Sequence, residues 1–379
     1  MKVTKFGDVV HEVKINVDRD NNPYEFYIAG DHMDSEDLTI HRKGHFATDD
    51  VGPAFTRIFK PGQILYGSRR TYLKKIAVAD FEGICANTTF VLETKDNCVF
   101  LQSLLPFIML SDKFTEWSVS HSKGSTNPYV LFSDLASYEF ELPSLEEQSI
   151  LSKKLWAAYR LKESYKRLLT ATDEMVKSQF IEMFGTVENN THNFPIMTIG
   201  EFANCFAGAT PSTSHPEYWE NGRIRWMSSG EVHKGHVEDT DFRITELGYK
   251  SASTRMVPIH SIVIAIAGQG KTRGTVAITE VDLCTNQSLC AIVPDERVNY
   301  LYLYHNLQGR YLELRGLSGD VNGRGGLNLK IIQKIPVILP PIEKQQQFAS
   351  IAQQADKSKF ELKQCIENID KVIKSLING

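Results

Sequence analysis

The heptapeptide LPSLEEQ at residues 142–148 returns as LPPIEKQ at residues 339–345, 197 residues later, and each copy opens a long stretch of heptad-like apolar spacing. A chain built this way is a tandem of two similar halves, each handing over to a helix. In the second stretch Phe348, Ala355, Leu362, Ile369 and Leu376 stand seven apart, with Ala352, Ile366 and Ile373 between them, the a/d seam of a coiled coil. The first stretch carries Leu151, Leu155, Ala158, Leu161, Tyr165, Leu168, Thr172, Met175, Val176, Phe180 and Met183 at steps of mostly three and four. Pro143, Pro340 and Pro341 precede the helices, where a missing N–H costs nothing. Glu146, Glu147 and Glu343 follow in the first turns, at the positive end of the helix dipole. The residues before each helix are strand-like, so the economical way to bury both stripes is to pack the helices on each other.

The repeat extends upstream. Ile64-Leu65-Tyr66 matches Ile262-Val263-Ile264, and Cys85-Ala86-Asn87-Thr88 matches Cys284-Thr285-Asn286-Gln287. Leu131-Phe132-Ser133-Asp134-Leu135 and Leu327-Asn328-Leu329-Lys330-Ile331 lead into the two proline motifs. Within the halves, runs 83–92, 261–267 and 274–278 are short and rich in Val, Ile, Thr and Phe, which predicts strands, whereas 106–117 and 300–314 read as helical. No regular βαβ alternation is present, so the expected class is α+β, two domains of similar fold separated by an antiparallel two-helix coiled coil.

A chain of 379 residues with 42% hydrophobic content accommodates two cores and two helical arms. The six cysteines form no CxxC pair and no zinc spacing with His, so neither a disulfide framework nor a metal centre is expected. No apolar run reaches membrane-spanning length, and Met1-Lys2-Val3-Thr4-Lys5 leads into a polar segment rather than a signal-peptide core, so the expected location is cytoplasmic.

A net charge of −4 excludes nucleic-acid binding through bulk charge but not through a local basic surface. Arg69, Arg70, Lys74 and Lys75 follow the Ile64 strand, and Lys271 and Arg273 follow the Ile262 strand at nearly the corresponding place. Tyr72 lies inside the first loop, and Arg223, Arg225 and Trp226 make a second basic-aromatic patch. Such loops suit phosphate contacts, and Arg also pairs bidentately with guanine, so these eight cations are the candidate DNA-binding residues.

Enzymatic motifs are incomplete. Gly268-Gln269-Gly270-Lys271-Thr272 resembles the end of a P-loop, but Ala265 stands where the pattern requires Gly, and Thr275-Val276-Ala277-Ile278 is β-like where a helix is needed. Asn127-Pro128-Tyr129 lacks one proline of the Asn/Asp-Pro-Pro-Tyr motif of amino-methyltransferases, and Phe206-Ala207-Gly208 is no cofactor-binding glycine loop. Asp31-His32, His41, His45 and Asp49-Asp50 crowd one stretch without HExxH or paired-carboxylate spacing. No catalytic residue, metal or cofactor is expected.

Gly208-Ala209-Thr210-Pro211-Ser212, then Glu217-Tyr218-Trp219 and Ile224-Arg225-Trp226, resembles the opening of a target-recognition domain in the specificity (S) subunits of type I restriction-modification systems. Gly326-Leu327-Asn328 through Ile335-Pro336 to Leu339-Pro340-Pro341 and Gln345 resembles that family's junction into a conserved helix, and Ser178-Gln179-Phe180 to Met183-Phe184 resembles the end of its central conserved region. The resemblance covers essentially the whole chain. In the first half no Gly-Thr-Pro-Ser opening follows Met1, and Lys5-Phe6-Gly7-Asp8 is a faint counterpart.

The resemblance implies recognition domains at 1–142 and 187–340, a central conserved helix at 143–186 and a second conserved helix at 341–379. It further implies a non-catalytic subunit in phage defence, which reads a bipartite site on double-stranded DNA for two methyltransferase (modification) subunits and for restriction subunits. A helix of roughly 36 residues is about 54 Å long, against about 34 Å for a turn of DNA, so the helices would act as a ruler. The alternatives are the specificity subunit of another multi-subunit restriction system and a two-domain coiled-coil scaffold that binds protein.

Overall fold

Each heptad stretch forms one long helix in the computed structural model, Leu145–Phe184 and Ile342–Asn378. The structure describes residues 2–18, 21–268, 271–317 and 326–379. The first helix starts at a reciprocal cap: the Glu147 amide donates to Ser144 Oγ at 3.3 Å, and the Ser144 amide donates to Glu147 Oε2 at 2.9 Å. The Ser144 amide and hydroxyl both donate to the Glu147 carboxylate and hold it below its ordinary value. At the second helix the Pro341 carbonyl accepts from the Lys344 amide at 3.0 Å, so the proline stands just outside the helix, where no N–H is needed.

The chain divides into two units. One comprises Met1–Lys166 with Lys363–Gly379, the other Arg167–Leu362. Each therefore holds one domain, the near end of its own helix and the far end of the other helix. In the first unit an antiparallel sheet has the order Val10–Glu12, Thr89–Thr94, Ile64–Gly67, Ile76–Val78. A second sheet orders Gly44–His45, Phe26–Ile28, Gly83–Ala86, Phe55–Phe59, with the middle pair parallel. Lys2–Lys5 pairs with Glu139–Leu142 to bring the chain to the helix.

The second unit repeats this plan. Ala203–Ala207, Leu289–Pro294, Ile262–Ala265 and Val276–Thr279 stand in the same order, with His236–Val237 added at the edge. Phe242–Ile244, Ile224–Met227 and Cys284–Thr285 form the second sheet, again with a parallel pair, and Ile196–Thr198 pairs with Pro336–Ile338. The strands Ile262–Ala265 and Val276–Thr279 are buried along their whole length, which explains why they read as continuous apolar runs rather than alternating ones.

The run 106–117 is helical but broken in two, Leu105–Leu110 and Asp112–Ser120. Ser111 is extended and its hydroxyl accepts from the Phe114 amide, so it caps a new helix instead of continuing the old one. The run 300–314 also breaks in two, into Tyr300–Gly309 and Tyr311–Gly316, at Arg310, which makes no side-chain cap.

The helix seam is correct for the second helix and correct in part for the first, where Leu155, Val176 and Met183 face inward. Phe348, Ala352, Ala355 and Ile373 are buried, whereas Leu161, Leu168 and Met175 stand 46%, 50% and 48% exposed. The inward line of the first helix is Leu155, Lys162, Leu169, Val176 and Met183, also spaced by seven. Lys162 disguised it, because a lysine does not read as a seam residue. Its side chain is only 12% exposed, and its charge is met by Asp370 of the second helix at 2.6 Å.

The two helices run antiparallel within each unit. In the first, Lys162 meets Asp370. In the second, Lys359 meets Asp173 at 3.0 Å and the Phe348 ring packs on Phe180 and Phe184 at 5.1 and 5.7 Å. The helices also pack on their own domains, contrary to the expectation that only each other was available. Trp156 donates to the Ser103 carbonyl at 2.7 Å and its ring meets Phe107 at 5.1 Å, while Leu155 and Tyr159 join the core that contains Phe107 and Leu105. Burying an aromatic such as Phe348 contributes roughly 1.5–3 kcal/mol.

Candidate nucleic-acid interface

The basic loop of the first unit joins the strands Ile64–Gly67 and Ile76–Val78 through the short turn Thr71–Leu73. Arg70 and Lys74 bracket that turn with φ of 51° and 47°, left-handed values that tighten the loop. Lys74 turns inward. Its ammonium lies 2.9 Å from Asp112 and 3.3 Å from Glu36; partial burial disfavours the charge, but these carboxylates outweigh it and hold the group above its ordinary value. Lys75 donates to the Gly30 carbonyl. Arg69 and Arg70 instead point their side chains to solvent, with no ion-pair partner among the described residues, beside Tyr72 at 55% exposure.

A second segment completes this surface. The Arg70 amide donates to the Pro128 carbonyl at 2.7 Å, the Val130 amide donates to the Ser68 carbonyl at 2.9 Å, and Arg69 bridges to Tyr129. Residues 123–129 form a tight hairpin closed by two bonds, Lys123 N–H to Tyr129 O at 2.7 Å and Tyr129 N–H to Lys123 O at 2.9 Å. Sequence reasoning met this segment only as an incomplete methyltransferase motif. The signal it missed was the run Lys-Gly-Ser-Thr-Asn-Pro at 123–128, turn-forming and without an acid.

In the second unit Lys271 is exposed on the loop between the strands Ile262–Ala265 and Val276–Thr279, the topological counterpart of the first loop. Its carbonyl accepts from the Tyr311 hydroxyl at 3.2 Å and from Thr275 Oγ1 at 2.8 Å, which ties the loop down. Arg273 is half-buried at the foot of the same loop. The chain continues into a strand rather than a helix, so the P-loop likeness ends there; Gln269 and Gly270 of that motif lie outside the described residues. Arg223 is exposed at the start of the strand Ile224–Met227, on the other sheet.

Arg225 is engaged: its Nε lies 2.9 Å from Asp239, which Arg243 also holds at 2.7 Å. Trp226, expected at the surface, is 6% exposed. Its indole donates to the Ala209 carbonyl at 3.0 Å and its ring meets Trp219 edge-on at 5.0 Å, so it is core rather than a stacking platform. Gly208 explains its own motif, because a Cβ there would stand 2.0 Å from the Thr285 carbonyl oxygen, and the neighbouring Ala209 amide donates to that same oxygen.

The histidine-rich stretch of the first half serves structure. The His45 amide donates to Asp49 at 2.9 Å, and His32 Nδ1 accepts from the Ala29 amide at 3.2 Å. Asp37, His41 and Glu163 come together as a metal site would, a cluster that the sequence did not suggest because Glu163 arrives on the long helix. A cation already sits there: the Lys166 ammonium lies 2.8 Å from Asp37 and 2.9 Å from Glu163. Burial alone raises Asp37, but donors from Lys166, Tyr159 and the Thr39 amide outweigh it and bring the carboxyl down to about 2. Burial also pushes the Cys85 and Cys290 thiols up to about 12, which makes neither a nucleophile at neutral pH. No helix among the described residues is long and apolar enough to cross a membrane.

A family model for the type I restriction modification DNA specificity domain matches residues 7–170 and again 192–371. Over 162 residues the chain is 28% identical to the specificity subunit of the type I restriction enzyme EcoR124I/EcoR124II of Escherichia coli, an alignment that covers 42% of this chain and 40% of that protein. It is 29% identical over 161 residues to the MjaIX specificity subunit of Methanocaldococcus jannaschii, covering 41% and 35%. The alignments thus span well under half of those relatives. Among solved structures, the S subunit of a type I restriction-modification system from M. genitalium superposes with a TM-score of 0.60 at 15% identity, over 99% of this chain and 95% of that one. A chain from a structure on complex assembly and conformational transition of the type I R-M system gives 0.60 at 18%, over 99% and 96%. These two likenesses speak to the fold.

Proposed function

The chain belongs to the type I restriction-modification DNA specificity family, and from that premise we propose that it is the non-catalytic subunit that reads a bipartite site on double-stranded DNA. The two domains, 1–142 and 187–340, each read one half-site, and the helices at 143–186 and 341–379 join them. Two methyltransferase subunits and the restriction subunits assemble on this chain in the cytoplasm, and methylation and cleavage belong to them.

One observation carries the reading: each of the two family matches contains an exposed cationic loop after the same sheet strand, Arg69 and Arg70 in one and Lys271 in the other. Of the eight candidate cations, Arg69, Arg70, Arg223 and Lys271 are the DNA contacts. Lys74, Lys75, Arg225 and Arg273 have intramolecular partners and shape the loops. Exposed cations of this kind gain from releasing counterions on phosphate contact, whereas a paired cation must first give up its partner.

The test is single-molecule sequencing of host DNA with and without this chain. A methylated two-part motif that depends on it is expected, and methylation indifferent to it overturns the reading. Inserting four residues in both long helices is expected to lengthen the spacer and leave both half-sites unchanged.

A further inference from the structure

We infer that the hairpin 123–129 is a phosphate clamp that grips the DNA backbone beside the basic loop, an inference that rests on the DNA-reading role and adds a binding element to it. Its base is rigid. Two bonds close the hairpin, two more fasten it to the loop through Pro128 and Val130, and Thr71 meets Ser122 at 3.4 Å.

Its tip is a cluster of unused donors. Gly124, Ser125, Thr126 and Asn127 are all exposed, and neither their backbone N–H groups nor the three polar side chains have a partner among the described residues. Gly124 has a φ of 87°, the left-handed value that turns the chain back so sharply. Residues 121–129 contain no acid. Asp134, further along the chain, is taken up by Lys123 at 3.2 Å and by the Leu131 amide at 3.3 Å. Arg69 and Arg70 are stapled to the hairpin's base through their backbone, so two exposed cations and a row of N–H donors lie on adjoining segments.

That chemistry suits phosphate oxygens, which are acceptors only. The four backbone N–H groups at the tip only donate and fit phosphate oxygens whatever the base sequence, and the hydroxyl and amide side chains beside them can donate as well. Tyr72 on the loop and Tyr129 at the hairpin's base are exposed as well, 55% and 42% accessible.

The experiment uses the full chain with its modification subunit and measures affinity for a motif-bearing duplex and for an unrelated duplex. Because Thr126 is exposed at the tip, Thr126→Glu and Thr126→Lys leave the fold intact, as thermal unfolding would verify. Thr126→Glu is expected to weaken both duplexes by the same factor, about tenfold, and Thr126→Lys to strengthen both, with the methylated motif unchanged. Unchanged affinity in both variants, or a methylated motif altered in one half, overturns the clamp. A wild-type chain that binds neither duplex overturns the DNA-reading role itself.

Discussion

Lys162 donates to Asp370 at 2.6 Å across the helix pair, and 197 residues on the same contact recurs with the helices exchanged, Lys359 to Asp173 at 3.0 Å. A lysine on one helix thus finds its aspartate on the other in both units, which explains why a charged residue stands in an otherwise apolar seam. An ion pair tolerates one register and rejects its neighbours, whereas an apolar seam slides more freely.

Reversing one charge is expected to show this. Lys162→Asp should destabilise the first unit by about 1–2 kcal/mol, and Lys162→Asp with Asp370→Lys should recover most of the loss. Urea unfolding of the single and double variants checks it; equal losses in both would mean that the pair contributes nothing to register.

Gln148 and Gln345, the last residues of the repeated heptapeptide, are fully buried and make the same three hydrogen bonds. Gln148 donates to Pro143 O and Val99 O and accepts from the Leu101 amide; Gln345 donates to Pro340 O and Arg297 O and accepts from the Asn299 amide. Either glutamine changed to Leu leaves buried backbone groups unpaired and should cost about 2–4 kcal/mol, read as a drop in the midpoint of thermal unfolding.

The four cations of the first loop should separate into two kinds. Arg69→Ala and Arg70→Ala are expected to lower DNA affinity and to reduce the slope of log affinity against log salt by about 0.9 each, without loss of stability. Lys74→Ala should do the reverse, costing about 1 kcal/mol of stability because Asp112 and Glu36 lose their partner. Salt titrations of binding alongside denaturation curves distinguish the two; a large salt effect at Lys74 would contradict its inward role.

His305 packs part-buried against Phe348 and Tyr304, and desolvation pushes its pKa down from 6.5 to about 4. The unfolded chain therefore binds a proton that the folded chain refuses between those values. Stability is full above pH 6.5 and falls as the pH drops toward 4, by at most about 1.4 kcal/mol per unit. His305→Phe should remove that part of the slope between pH 7 and 5 in urea unfolding, and an unchanged slope would rule the histidine out as its source.

Much of the architecture was legible in the residues. Repetition announced the tandem, seven-residue spacing announced the helices, and continuous apolar runs announced the buried strands, because periodicity and composition are local properties. The seam of the first helix was legible only at Leu155, Val176 and Met183, since Leu161, Leu168 and Met175 and the line through Lys162 have the same spacing, and the tertiary partners, Asp370 among them, choose between the two.

The site divided in the same way. The sequence by itself determined that both halves carry cations after the same strand, because those residues are neighbours along the chain. Only the tertiary structure decided which cations remain available, since Lys74 is claimed by Asp112 and Arg225 by Asp239, and which distant segment joins them, since the hairpin 123–129 reaches Arg69 and Arg70 through backbone hydrogen bonds. Such bonds form between any residue types, so they leave no mark on the side chains from which a sequence is read.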